Sequence, residues 1–246
     1  MTTLRILRAD CELHIEVDGC GPALLLVNGV GLNLRQWDVA MHLLTPKYTV
    51  IRHDVRGTGN STAGLLSGFT FEQYASDIVG IADELEIDEF SLWGMAWGAR
   101  VALVTAANFS SRVRRLVVSD FSIDPADIDA QKIGASVAKA ARAEAGISET
   151  LLPPMMREHS DFKSMQIAMS ATALHPDLMP FVESVRAPTL IATGDHDPNL
   201  ASSRRALPRF KTARLVELKL TGHGSVLCRP DLVTQEVLAF LDEVGD

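Results

Sequence analysis

The chain is poor in cysteine, with only Cys11, Cys20 and Cys228 among its 246 residues. The number is odd and no pair has C-x-x-C spacing, so the sequence predicts neither a disulfide framework nor a cysteine zinc site. Sparse, unpaired cysteines are typical of a reducing compartment. We therefore expect a cytoplasmic protein.

Basic residues and long apolar runs are also scarce. Lys and Arg number 23 against 31 Asp and Glu, a net charge of -8, which gives no electrostatic attraction for nucleic acid. No apolar run approaches the ~20 residues of a membrane-spanning helix. The first five residues, Met1 to Arg5, lack the apolar core of a signal peptide. We expect neither nucleic acid nor a membrane as a partner.

What the chain does contain is a regular alternation of strand-like and helical patterns. Its length and its 47% hydrophobic and 22% charged residues suit one globular domain with a deep core. Continuous apolar runs such as Ala23 to Val27 are typical of strands buried on both faces. The alternation predicts an α/β fold with a mostly parallel sheet flanked by helices. Two strands around a turn at Asp10 are expected to be antiparallel.

The pattern changes between residues 122 and 186, where short helical segments with prolines replace the strand-like runs. We predict a helical cap, 122–186, inserted in a core formed by 1–121 and 187–246. Methionine adapts to irregular apolar ligands, although it packs helices on one another equally well. The segment holds five of the eight methionines, Met155, Met156, Met165, Met169 and Met179. Its His159 and His175 could make polar contacts in the cap, but we favour a solvated surface position for each.

The most informative stretch is Gly94-Met95-Ala96-Trp97-Gly98, which joins an apolar run to a helix-forming run. This is the spacing of a nucleophile elbow, G-x-S-x-G, in which a sharp strand-to-helix turn presents a serine. Ala96 occupies the serine position. Alanine has neither an oxygen nor a proton to give, so it cannot attack a carbonyl carbon.

Four further motifs each follow a predicted strand. They are Asn28-Gly29-Val30-Gly31, Asp54-Val55-Arg56-Gly57-Thr58-Gly59-Asn60-Ser61, Gly194-Asp195-His196-Asp197 and Gly222-His223. With the elbow, these motifs occur in an order that resembles the α/β-hydrolase superfamily along essentially the whole chain. The resemblance implies an α/β-hydrolase fold and hydrolysis of a carboxylic ester, thioester, lactone or activated C–C bond. It implies a small-molecule substrate, and neither a metal nor a cofactor. The apolar cap suggests an apolar acyl or aromatic part in that substrate.

The resemblance also assigns roles. With Ala96 at the nucleophile position, His223 would be the general base, because imidazole has an ordinary pKa of ~6.5. Asp197 would orient His223 and stabilise its charged form. Asp120, which ends the preceding predicted strand, is the alternative acid.

Two backbone N–H groups, of Val30 and Trp97, would form the oxyanion hole. Gly29, Val30 and Trp97 would also contact the substrate. The loop from Asp54 to Ser61 lacks phosphate-binding spacing and is interpreted as a structural turn.

Three interpretations of Ala96 remain open. The chain is a serine hydrolase whose nucleophile was replaced in the laboratory, or a natural ligand-binding member without a nucleophile. In the third, His223 and Asp197 act as an acid–base pair in a cofactor-independent enzyme. We favour the first, because alanine has no structural merit at an elbow where glycine would relieve ~1 kcal/mol of strain.

Overall fold

The computed structural model describes residues 1–8, 10–62, 69–171 and 176–243. Within them, eight strands form one sheet in the order β1-β2-β4-β3-β5-β6-β7-β8. The strands are β1 Thr2–Leu7, β2 Glu12–Asp18, β3 Ala23–Val27, β4 Thr49–His53, β5 Phe90–Met95, β6 Val113–Ser119, β7 Thr189–Gly194 and β8 Ala213–Leu218. β2 pairs antiparallel with β1 and β4, and the remaining pairs are parallel. The predicted mostly parallel sheet and its antiparallel N-terminal pair are confirmed.

Helices cover both faces of this sheet. They are α1 Asp38–Leu44, α2 Phe71–Glu84, α3 Trp97–Asn108, α4 Ile128–Glu144, α5 Phe162–Ala171, α6 Met179–Ser184, α7 Asn199–Ala206, α8 Ser225–Cys228 and α9 Pro230–Leu241, with 3-10 turns at Leu34–Trp37 and Leu207–Arg209. Successive strand residues point to opposite faces. Leu25 accordingly packs in the cluster that contains α2 and α3, whereas Leu24 and Leu26 pack in the cluster that contains α1 and α9.

The helices α4, α5 and α6 lie between β6 and β7, inside the segment for which the sequence predicts a cap. Residues 172–175 of that segment, including His175, lie outside the described residues. The backbone of α4 packs closely on two loops of the core. A Cβ atom added to Gly134 would lie 2.0 Å from His196 O, and one added to Gly222 would lie 2.7 Å from Ala135 Cα.

Some elements differ from the expectation. The sequence predicts no helix at α7 or α8, where the structure has two short helices, and the last helix, α9, begins at Pro230. Proline suits the first turn of a helix because its missing N–H would have no partner there. None of the helices in the described ranges is long and apolar enough to span a membrane.

Candidate active site

Ala96 is the single residue between the end of β5 and the start of α3, and its backbone angles are φ 54° and ψ −112°. This is a left-handed conformation that residues with a Cβ rarely adopt. The flanking glycines allow the turn to be this tight. A Cβ at Gly94 would lie 2.2 Å from Gly98 O, and a Cβ at Gly98 would lie 2.3 Å from Asn28 O. The backbone therefore has the strained elbow that the motif predicts.

His223 follows β8 and contacts the predicted acid. Its Nδ1 lies 3.0 Å from Asp197 Oδ2. The other carboxylate oxygen of Asp197 accepts a 3.0 Å hydrogen bond from Asn199 N, at the start of α7. That bond fixes the carboxylate, so that Oδ2 is directed at the imidazole. The short helix α7, absent from the sequence prediction, is thus what orients the acid.

Several groups set the pKa of His223. Burial lowers it, but the hydrogen bond with Asp197 and the negative charges of Asp120 and Asp197 outweigh this effect. The positive charge of Arg100 opposes them. The net result is a pKa above the ordinary value of the imidazole, which makes His223 a stronger base than a free histidine.

Asp120 directly follows β6 and is fully buried beside this pair. Its Oδ2 accepts hydrogen bonds from Ser225 N at 2.7 Å and from Ser225 Oγ at 3.0 Å. Its Oδ1 has no hydrogen-bond partner among the described residues. Burial, and then the charge of Asp197, raise the pKa of Asp120. The structure therefore brings Asp197 into contact with His223 and places Asp120 as an anchor of the loop that carries His223.

The two N–H groups predicted for an oxyanion hole both belong to residues that line one cavity with Ala96 and His223. Among the hydrogen bonds of the described residues, neither Val30 N nor Trp97 N has an acceptor. Gly29 lines a small adjoining pocket instead, and its N–H donates to Gln36 Oε1 at 2.8 Å. The loop is held by Asn28, whose Nδ2 donates to His53 O at 2.9 Å.

That cavity has a volume of about 400 Å³, within the usual range for small-molecule sites. Its walls are mostly apolar. It is lined by Val30, Ala96, Trp97, Arg100, Pro125, Ala126, Ile128, Gln131, Met169, Asn199 and His223. Sequence reasoning missed Arg100 and Gln131. A signal for Arg100 exists, since it is the one charged residue in the twelve-residue sequence of α3.

The loop after β4 is held by hydrogen bonds. Asp54 Oδ1 accepts from Leu34 N, and its Oδ2 accepts from Asn60 N, both at 2.8 Å. These bonds support the structural interpretation of this loop. His159 is partly exposed and makes a polar contact, which is the alternative to a solvated surface position. Its Nδ1 accepts a 2.9 Å hydrogen bond from Gly59 N, which ties the segment between β6 and β7 to this loop.

In the part of the chain that the structure describes, no group of three His, Cys, Asp or Glu side chains is placed to hold a metal ion. A family model described as the alpha/beta hydrolase fold matches residues 22–146, half of the chain. The chain belongs to the α/β-hydrolase family. The solved structure of the enol-lactonase from Burkholderia xenovorans matches this α/β hydrolase with a TM-score of 0.76 and 26% identity, over 95% of this chain and 97% of that one. The predicted fold class is confirmed.

Two curated relatives of this α/β-hydrolase family member are named as hydrolytic enzymes. It is 27% identical to the 2-(acetamidomethylene)succinate hydrolase of Mesorhizobium japonicum, over 82% of this chain and 80% of the relative. It is 29% identical to 3-oxoadipate enol-lactonase 2 of Acinetobacter baylyi, over 54% of this chain and 46% of that relative. Some matches thus span about half the length of the relative. These homologues support a hydrolytic function on a small molecule.

Proposed function

We propose that this cavity is the active site of a serine-type hydrolase that lacks only the hydroxyl group at position 96. The substrate would be a small carboxylic ester, thioester or lactone, or a compound with an activated C–C bond. The observation that carries the proposal is the 3.0 Å contact between His223 Nδ1 and Asp197 Oδ2, in a cavity that the strained elbow also lines. The similarity to enol-lactonases supports it, because a lactone is a cyclic ester.

The chemistry follows from the positions of these groups. With serine at position 96, His223 Nε2 takes the hydroxyl proton while the oxygen attacks the substrate carbonyl. Asp197 stabilises the imidazolium that forms, and the N–H groups of Val30 and Trp97 hold the negative oxygen. His223 then gives its proton to the leaving group, and a water molecule releases the acyl group by the same route.

Helices α4 to α6 would serve as the cap of this site. Met169 of α5 and Ile128 and Gln131 of α4 line the cavity, so this segment forms part of its wall. An apolar acyl or aromatic part of the substrate would pack against Met169 and Ile128. We propose that the cap, predicted at residues 122–186, selects the substrate.

The test is to restore the hydroxyl group with Ala96→Ser. Both forms are assayed against short and long esters, thioesters and lactones. We expect the serine form to exceed the alanine form by at least ~10³-fold in kcat/KM, because a missing nucleophile is not replaced by the rest of a triad. An organophosphonate should add one mass equivalent to the serine form only. If the serine form neither hydrolyses these compounds nor reacts with the phosphonate, the proposal is wrong.

A second candidate is acid–base chemistry by His223 and Asp197 in the chain as it stands. The raised pKa of His223 favours it, since this base lines the cavity and needs no serine to reach a substrate proton. In that case the alanine form itself turns over its substrate, and His223→Ala abolishes the reaction. A chain that binds a small molecule tightly but is inactive with either residue at position 96 would instead be a ligand-binding protein.

A further inference from the structure

Arg100 is a buried cation in the wall of the proposed active site. It lies in the first turns of α3, one helical turn after Ala96, and only 7% of its surface is exposed. Its Nη2 donates a 2.8 Å hydrogen bond to Asp124 O, which holds the guanidinium in place. A buried charge is stable only where opposite charge or hydrogen-bond acceptors compensate for the lost water.

Burial and the neighbouring Asp124 both act on the charge of Arg100. Burial lowers the pKa of Arg100, and the negative charge of Asp124 opposes that effect without cancelling it. The carboxylate of Asp124 is bonded to the surface residue Arg205. Of the described residues that line the cavity, only Arg100 and His223 are ionisable, and none is a carboxylate. An anion in the cavity would therefore meet these two groups without repulsion from a carboxylate among them.

Gln131 provides a second polar side chain in the wall of the cavity. It belongs to α4, only 8% of its surface is exposed, and it lines the same cavity as Arg100. Its side-chain N–H₂ group can donate a hydrogen bond to an oxygen atom of a ligand.

We propose that the substrate of this site carries a carboxylate, bound by Arg100 and Gln131, while its reacting carbonyl lies at Ala96 between the N–H groups of Val30 and Trp97. The inference rests on the proposed function and adds a substrate class to it. The guanidinium fork matches a carboxylate in shape. The hydrocarbon part of a small acid suits the walls formed by Ile128 and Met169. The net charge of -8 provides no long-range attraction for an acid, so the preference must come from these local contacts.

The unmodified chain is suited to the test, because without a nucleophile it does not form an acyl-enzyme. Three carboxylates would be titrated calorimetrically beside their neutral partners: benzoate with benzamide, hexanoate with hexanamide, and monomethyl succinate with dimethyl succinate. We expect at least one carboxylate to bind about 10-fold or more tightly than its partner. If no carboxylate binds more tightly than its neutral partner, the proposal is wrong.

Substitutions of Arg100 and Gln131 test whether these side chains cause the preference for carboxylates. Arg100→Met should abolish the preference while the neutral partner binds as before, which shows that the cavity is intact. Arg100→Lys should keep part of the preference, because lysine retains the positive charge but lacks the paired N–H donors of the planar guanidinium. Gln131→Leu should weaken carboxylate binding several-fold. The control is Arg204→Gln, which removes an exposed arginine paired with Glu217 and should leave the preference unchanged. An unchanged preference in Arg100→Met overturns the proposal.

The catalytic activity of the Ala96→Ser form distinguishes a failure of the carboxylate site from a failure of the proposed function. If the Ala96→Ser form hydrolyses dimethyl succinate as efficiently as its monomethyl ester, the carboxylate site is wrong and the hydrolase stands. If carboxylates bind through Arg100 but the serine form is inactive, the anion site stands and the serine-hydrolase proposal falls.

Discussion

At the scale of single residues, Ala96 has a strained backbone conformation, and its side chain carries no reactive group. A conformation of this kind costs ~1–3 kcal/mol in a residue with a Cβ, and the extra freedom of glycine in the unfolded chain costs about 0.5–1 kcal/mol. We therefore expect Ala96→Gly to raise the free energy of unfolding by about 1 kcal/mol. Ala96→Ser keeps the Cβ and should change it by less than ~0.5 kcal/mol. Urea unfolding measures both, and a loss of stability in Ala96→Gly would show that the elbow is unstrained.

Asp120 is expected to act on the titration of His223. Its negative charge stabilises the imidazolium and so raises the pKa of His223. Asp120→Asn removes the charge and keeps an oxygen that accepts from Ser225, so the pKa of His223 should fall. Because the pKa of Asp120 is itself raised, the two groups titrate together in the parent chain. In Asp120→Asn, His223 should titrate in a single step.

Nuclear magnetic resonance of the His223 imidazole would follow this titration without any catalytic assay. In the serine form, the acid limb of kcat/KM should move to lower pH in the same variant. Glu217→Gln, an exposed acidic residue in β8, is the control and should leave the curve in place. An unchanged midpoint in Asp120→Asn would mean that Asp120 anchors the loop without influencing the base.

Local sequence could predict those site residues whose positions depend on short-range geometry. Ala96, Asp197 and His223 stand at fixed offsets from glycines that tight turns require. The choice between Asp197 and Asp120 was different, because both follow neighbouring strands and only the three-dimensional positions of the loops decide which one meets His223. Gln131 had no signal at all, since a glutamine in an amphipathic helix reads as a surface residue.

At the scale of elements, the backbone of α4 is in close contact with the loops that carry Asp197 and His223. Alanine favours a helix over glycine by about 1 kcal/mol, so propensity alone predicts that Gly134→Ala stabilises α4. The added Cβ would lie 2.0 Å from His196 O, next to Asp197, and must displace that loop or the helix. We expect a net loss of about 2 kcal/mol in the free energy of unfolding. The exposed Ser136→Ala in the same helix is the control and should not destabilise the protein.

Periodicity predicted the elements that are long and regular, and it failed on the short ones. Apolar runs located β3 and β5 because strands buried on both faces need continuous hydrophobic residues. The helix α7 was missed because its sequence is rich in serine and arginine, and α8 has only four residues. The place of β2 beside β4, rather than beside β3, depends on contacts between distant residues that no local pattern records.

At the scale of the whole molecule, the sheet order explains why motifs far apart in the chain form one site. The strands β3, β5, β6, β7 and β8 are parallel neighbours, so their carboxyl ends meet at one edge of the sheet. Ligands of open α/β sheets bind outside this edge. The loops that carry Val30, Ala96, Asp120, Asp197 and His223 all begin there. Their convergence follows from topology and needs no special local sequence.

Global stability should depend on pH through His53, which is fully buried at the end of β4. Burial lowers its pKa to about 4, although the charge of Asp77 and a hydrogen bond with Leu26 oppose the shift. The unfolded chain binds this proton below pH ~6.5, whereas the folded protein does so only near pH 4. The contribution of His53 to stability is therefore complete above pH ~6.5 and is lost on acidification, by about 1.4 kcal/mol per pH unit.

Asp120 acts in the opposite direction, because its raised pKa makes the folded protein bind a proton before the unfolded chain does. Acidification should therefore relieve a penalty at Asp120 while it imposes one at His53. We expect His53→Gln to flatten the acid slope of the free energy of unfolding, and Asp120→Asn to steepen it. Urea unfolding at several pH values between about 8 and 5 measures both slopes, independently of any change in absolute stability. Both side chains are buried in the folded protein. If the free energy of unfolding changes with pH by the same slope in the parent chain, in His53→Gln and in Asp120→Asn, neither residue determines the acid stability of this fold.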